Sequence, residues 1–170
     1  MSPFLSILAA FVAAAAAAAP APTVTSAYTK LELDRCTRLD HGETPESTEW
    51  RCTGYGGVPL FVQNGDERYD VDAGAADDDA IWSATFDYPG RTVEWRLRQG
   101  RPFAIIYRLV PANPEARGLV STLMVETVGT KAHPGCRVAM IAGSAKDANA
   151  RSRAAADRIL LARPPCLKPQ

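Results

Sequence analysis

Residues 58–72 read VPLFVQNGDERYDVD. Two strand-like runs, 58–63 and 66–72, flank Asn64-Gly65. Asn-Gly between such runs is the strongest short-range cue for a β-hairpin, because both central residues of the tight turn take positive φ. The hairpin implies antiparallel pairing, and the neighbouring segments extend that pattern.

Upstream, residues 28–34 read YTKLELD and place Leu31 and Leu33 on one face of a first strand. A polar loop over 37–48 leads to a second strand over 49–53, with Trp50 and Cys52 on one side and Glu49 and Arg51 on the other. Downstream, Thr92–Arg98 reads TVEWRLR, which turns Val93, Trp95 and Leu97 inward and Glu94, Arg96 and Arg98 outward. Gln99-Gly100 makes a turn into a long apolar strand over 101–110, with Pro102 suited to its start. Further strands are expected over 118–128 and 136–142, and a short helix over 77–85. Ser144 is placed to cap a helix over 144–162, with Asp147 three residues on and Pro164-Pro165 beyond its end. Ala148, Ala155 and Ile159 would pack that helix on the sheet. The expected fold is α+β, mainly β: one antiparallel meander sheet of seven or eight strands packed by one C-terminal helix.

Residues 4–12, FLSILAAFV, are followed by alanines to Ala19 and then by Pro20-Ala21-Pro22. That is the form of a signal-peptide core with a small-residue cleavage zone. The run stops short of the roughly 20 apolar residues of a spanning helix. The expected organisation is a signal peptide over 1–18, a flexible leader over 19–27 and a single disulfide-tied domain over 28–170. No membrane span remains after cleavage, and the expected location is periplasmic or secreted. A mature chain of about 150 residues suits one domain with its own core.

Cys36, Cys52, Cys136 and Cys166 are the cysteines of the chain. Four cysteines allow three pairings. A strand of about 20 Å followed by a helix returning about 27 Å brings Cys166 back towards Cys136. The pairing favoured is therefore Cys136 with Cys166 and Cys36 with Cys52, each bridge stabilising by about 2–4 kcal/mol. No C-x-x-C occurs, and His133 with Cys136 lacks a second local ligand pair, so neither a zinc ribbon nor a redox dithiol is supported.

Formal net charge is zero, which gives no electrostatic case for nucleic acid as a partner. His41 and His133 lie in polar stretches, and the G-x-S-x-G elbow of a serine hydrolase is absent. The acidic residues Asp70, Asp72, Asp77, Asp78 and Asp79 fail the EF-hand pattern. No catalytic residue, metal site or cofactor is called for. The ligand-binding candidates are Tyr55, an aromatic among the glycines of GYGG, and the cationic group Arg96, Arg98 and Arg101, with Arg51 on the same outward face.

YTKLELDRC, EWRCTGYGGVPLFV, TVEWRL and GRPFAIIYR together resemble a family of small exported proteobacterial proteins of unknown function. The resemblance spans roughly residues 26–142. It implies a periplasmic home and brings no catalytic residues with it. Two functions follow as expectations. The first is a non-enzymatic domain binding a periplasmic protein or envelope ligand, in an inhibitor-like or structural role. The alternative is a periplasmic hydrolase acting on a cell-wall or small-molecule substrate, which would need His41, His133 or a carboxylate pair to converge.

Overall fold

Strands Leu60–Gly65 and Arg68–Ala73 form the expected hairpin, but its turn is Asp66-Glu67 and not Asn64-Gly65. Asp66 and Glu67 take φ of 53° and 55°. Such a conformation costs about 1–2 kcal/mol for a residue with a Cβ. Register explains the choice. In the observed pairing Leu60 faces Ala73 and Val62 faces Val71, and all four are fully buried. A turn at Asn64-Gly65 would set Val62 against Glu67. Burial of a single Val or Leu is worth about 1.5–3 kcal/mol, so the core outweighs the turn.

The computed structural model describes residues 23–39, 47–76, 86–113, 118–162 and 164–167. Its strands in chain order are β1 Val24–Lys30, β2 Thr37–Leu39, β3 Ser47–Cys52, β4 Leu60–Gly65, β5 Arg68–Ala73, β6 Asp87–Pro89, β7 Thr92–Arg98, β8 Arg101–Pro111, β9 Thr122–Thr127 and β10 Arg137–Ala142. One helix, α1 Ala148–Arg158, follows. The fold is mainly β with a C-terminal helix, and every strand pairing is antiparallel. The strands do not form one meander. A six-stranded sheet runs β1-β7-β8-β9-β10 with β6 also on β8, and a four-stranded sheet runs β2-β3-β4-β5.

The large sheet is a middle layer. Its Val93, Trp95, Leu97, Ile105, Tyr107, Leu109 and Met124 meet Leu60, Val62 and Val71 of the small sheet. Its other face carries Ala104, Ile106, Leu123, Val125 and Ile141 against Ala148, Ala155 and Ala156 of α1. Burial on both faces is why β8 reads as a continuous apolar run and not as an alternation. The two sheets are stitched along β5. The Asp87 N–H donates to the Glu67 carbonyl, and the Gly129 N–H donates to the Ala73 carbonyl at 2.7 Å. The Tyr69 and Val71 N–H groups donate to Asp87 Oδ1 and to the Tyr107 hydroxyl. The outer edge of β5, a liability if left open, is thus closed by backbone and side chains of the large sheet.

Several expectations are corrected. Residues 24–27, assigned to a flexible leader, belong to β1 and pair with Trp95–Arg98. The strand expected over 28–34 stops at Lys30, and Leu33–Arg35 is a single 3-10 turn. Ser144 does not cap α1. Two tight turns, Ala145 N–H to the Ala142 carbonyl and Ala148 N–H to the Ala145 carbonyl, reverse the chain first. Asp147, at φ 57°, then precedes the helix. Gly143 permits the reversal, since a Cβ there would lie 2.3 Å from Ser121 Oγ. The helix ends at Arg158, well before Pro164. The disulfides are Cys36–Cys52 and Cys136–Cys166, as expected. The helix expected over 77–85, the residues Asp77, Asp78 and Asp79, and His41 all lie outside the described residues. No described helix is long and apolar enough to cross a membrane.

Candidate functional site

The end of the large sheet nearest the second disulfide opens into a cleft of about 420 Å³. Pro102 and Phe103 come from the start of β8, and Thr127 and Val128 from the end of β9. A turn closed by reciprocal backbone hydrogen bonds between Thr130 and His133, 2.7 and 3.1 Å long, forms one wall. Ile159, Pro164 and the two cysteines of the Cys136–Cys166 bridge complete it. The Thr127 hydroxyl accepts the Cys136 N–H at 2.9 Å and so holds the start of β10 against β9. The volume is in the range of small-ligand sites, which are mostly apolar with a few polar groups. Here the apolar part is Phe103, Val128, Ile159 and prolines, and the polar part is His133, Thr127 and Thr130. Among the described residues no acidic side chain lines the cleft.

The ionisable groups of greatest consequence lie elsewhere, sealed between the sheets. Asp70 of β5, Tyr107 of β8, Glu126 of β9 and Arg137 of β10 are each no more than 3% exposed. Arg137 donates to Glu126 Oε1 from Nε at 3.0 Å and from Nη2 at 2.8 Å, and it pairs with Asp70 Oδ1. Its Nη2 also donates to the Tyr107 oxygen at 2.6 Å. The Tyr107 hydroxyl reaches Asp70 Oδ1 at 2.9 Å and Glu126 Oε1 at 3.0 Å, with one proton to give. Burial pushes the Glu126 carboxyl well above the ordinary range, and the nearby Asp70 and Asp72 add to the rise. Burial likewise holds the Tyr107 phenol well above its usual value. For Arg137 burial opposes the charge, but Tyr107, Glu126 and Asp70 outweigh it and keep the guanidinium protonated. The cluster bolts three strands of the large sheet to β5.

The candidate binding residues scatter. Tyr55 opens a 3-10 turn, Tyr55–Gly57, and lays its half-buried ring over Trp95 with centroids 6.3 Å apart. Gly54 makes that approach possible, since a Cβ there would sit 2.6 Å from the Trp95 ring. Arg96 is buried and not outward, because α1 covers that face of β7. It grips Asp157 through Nε at 2.9 Å and Nη2 at 2.7 Å. Arg153 holds Glu94 in the same two-pronged way at 2.7 and 3.1 Å. Arg98 and Arg101 are exposed and face each other across the β7–β8 turn, one residue before the cleft begins at Pro102. Arg51 lies on β3 of the small sheet, so it shares no strand ladder with them.

Sequence reasoning missed the cleft and the buried cluster. The cluster did leave a trace: Glu126 follows Met124 at strand spacing, and Met124 faces the core. A charge at an inward position of an apolar strand demands a partner. Among the described residues no cluster of three or more His, Cys, Asp or Glu side chains is placed to hold a metal. Comparison with family models, with curated proteins and with solved structures finds no match to this chain.

Proposed function

We propose that this chain is a non-enzymatic binding domain of the periplasm, and that the cleft beside Cys136–Cys166 holds an apolar segment of a protein or envelope ligand. The observation that carries this is the character of the cleft wall. Its exposed lining is close to evenly apolar and polar, with Phe103, Val128 and Ile159 set beside hydrogen-bonding groups at Thr127, Thr130 and His133. Tyr107 and Glu126, whose ionisation is displaced well above the ordinary range, are buried between the sheets, where they hold β5 to the large sheet. Exposed Arg98 and Arg101, next to Pro102, supply a cationic margin for an anionic flank of the same ligand. The two disulfides, the export signature of residues 1–18 and the likeness to small exported proteobacterial proteins support the periplasmic placement.

A hydrolase is the second reading, and His133 on the cleft wall is the observation in its favour. A histidine base needs a group to orient it and a nucleophile to activate. Among the described residues the wall carries no carboxylate side chain, and the Thr127 hydroxyl is engaged with Cys136. The test is a fragment and peptide screen followed by amide NMR on the disulfide-intact protein. Shifts gathered at Phe103, Val128, His133 and Ile159, and lost in Thr130→Trp, are expected. Shifts centred elsewhere, or hydrolysis abolished by His133→Ala, would overturn the reading. Fractionation and N-terminal sequencing of the mature protein test its location.

A further inference from the structure

The two disulfides differ in exposure. Cys52 is 5% exposed, and Cys36, half-buried, packs on the inter-sheet core beside Leu33 and Trp50. Cys166 is exposed, Cys136 is half-buried, and both line the open cleft. A thiolate must reach a disulfide sulfur to exchange with it, and exposed bridges are the labile ones. From this contrast we propose that Cys136–Cys166 is a thiol-exchange site, opened selectively by a small thiol that enters the cleft while Cys36–Cys52 stays intact. The proposal does not depend on what else the cleft binds.

Cys166, the more exposed residue of the pair, sets the direction. An incoming thiolate attacks Cys166 Sγ, the Cys136–Cys166 bond breaks, and the electron pair leaves on Cys136 Sγ, which is then protonated by solvent. A second thiolate attacks the reagent sulfur of the mixed disulfide. Cys166 departs as a thiolate and is protonated, and the two reagent thiols end as their own disulfide. Two electrons have passed from thiols to protein.

The structural consequence is local. Apart from the bridge, the segment 164–167 is tied by the Leu167 N–H to the Arg137 carbonyl at 2.8 Å. The helix α1 keeps separate anchors in Arg96–Asp157, Arg153–Glu94 and the packing of Ala155 and Ala156. Reduction therefore frees the Pro164–Cys166 wall and widens the cleft without releasing the helix.

The experiment treats the native protein with reduced glutathione, and in parallel with dithiothreitol, at neutral pH. Free thiols are alkylated at intervals and mapped by peptide mass spectrometry, with far-UV circular dichroism followed alongside. Cys136 and Cys166 are expected to label at least about tenfold faster than Cys36 and Cys52, with the spectrum retained. The glutathione adduct, trapped by acid, is expected on Cys166. A rate ratio below that figure, earlier opening of Cys36–Cys52, or opening only with loss of the spectrum overturns the proposal. An adduct confined to Cys136 overturns the direction of attack.

Discussion

Replacing Arg137 by Leu removes the single cation from a buried cluster that contains Asp70 and Glu126. Both carboxyls are no more than 3% exposed, and both depend on the guanidinium. Breaking a buried pair by deleting one partner costs about 3–5 kcal/mol, because the other charge is left uncompensated. Against a total stability of about 5–15 kcal/mol, that is a large share. The penalty should also depend on pH in a definite direction. The folded-state pKa of Glu126 is raised, whereas in the unfolded chain it returns to about 4.3. Its contribution to stability is therefore fully present below about pH 4.3 and is lost as pH rises towards the folded value, at about 1.4 kcal/mol per pH unit. Loss of Arg137 removes an influence that lowers this pKa, so the window of loss extends further upward in the variant. The deficit of Arg137→Leu is therefore expected to stay level from pH 4 up to the raised folded pKa of wild-type Glu126 and to grow only above it, where wild type has stopped losing stability and the variant has not. Urea unfolding with disulfides intact, run from pH 4 to 8, measures this. Glu126→Gln in the wild-type background should flatten the pH dependence. A deficit below about 1 kcal/mol at pH 7, or one that grows on acidification, would refute the view that Arg137 offsets buried carboxylates.

Three further outcomes follow from named contacts. Tyr107→Phe keeps the ring and deletes the hydroxyl that serves Asp70, Glu126 and the Val71 N–H; a loss of about 1–3 kcal/mol is expected in urea unfolding. Asp157→Asn weakens the two-pronged grip on Arg96, and because Asp157 is 37% exposed the cost is expected to be only about 1 kcal/mol, shrinking in high salt. Glu67→Gly relieves a side chain held at φ 55° and should raise stability by about 0.5–1 kcal/mol, read as a higher thermal midpoint without change in the amide spectrum of β4 and β5.

The parts of this fold that were legible in the sequence are those decided by neighbours a few residues apart. Alternation in TVEWRLR located β7 to the residue and named its inward trio Val93, Trp95 and Leu97 correctly. The same alternation said only that Glu94 and Arg96 face the other way. It carried no information on what covers that side, and α1 does. The hairpin was recognised while its turn was misplaced by two residues, because turn propensity is local and the burial of Leu60 and Val62 against β5 is not. The disulfide pairing followed from strand and helix lengths even though α1 proved shorter than expected. The cleft was illegible for a plain reason. Its walls come from the start of β8, the end of β9, one turn and the segment after α1, and nothing local marks their convergence.

Arg137 and Cys136 sit side by side at the start of β10, and that adjacency joins two kinds of restraint. Cys136 ties β10 covalently to the segment after the helix, whereas Arg137 ties it ionically to β5 and β9. The Arg137 carbonyl also accepts the Leu167 N–H, so one residue touches the core cluster through its side chain and the cleft wall through its backbone. The guanidinium is locked by contacts to three strands, none of which involves the disulfide. Opening the bridge therefore removes the outer restraint and leaves the inner one in place. On the proposal that the bridge opens, the wall would move while the core behind it stays tied, and the cost to the fold would be that of the one bridge, about 2–4 kcal/mol.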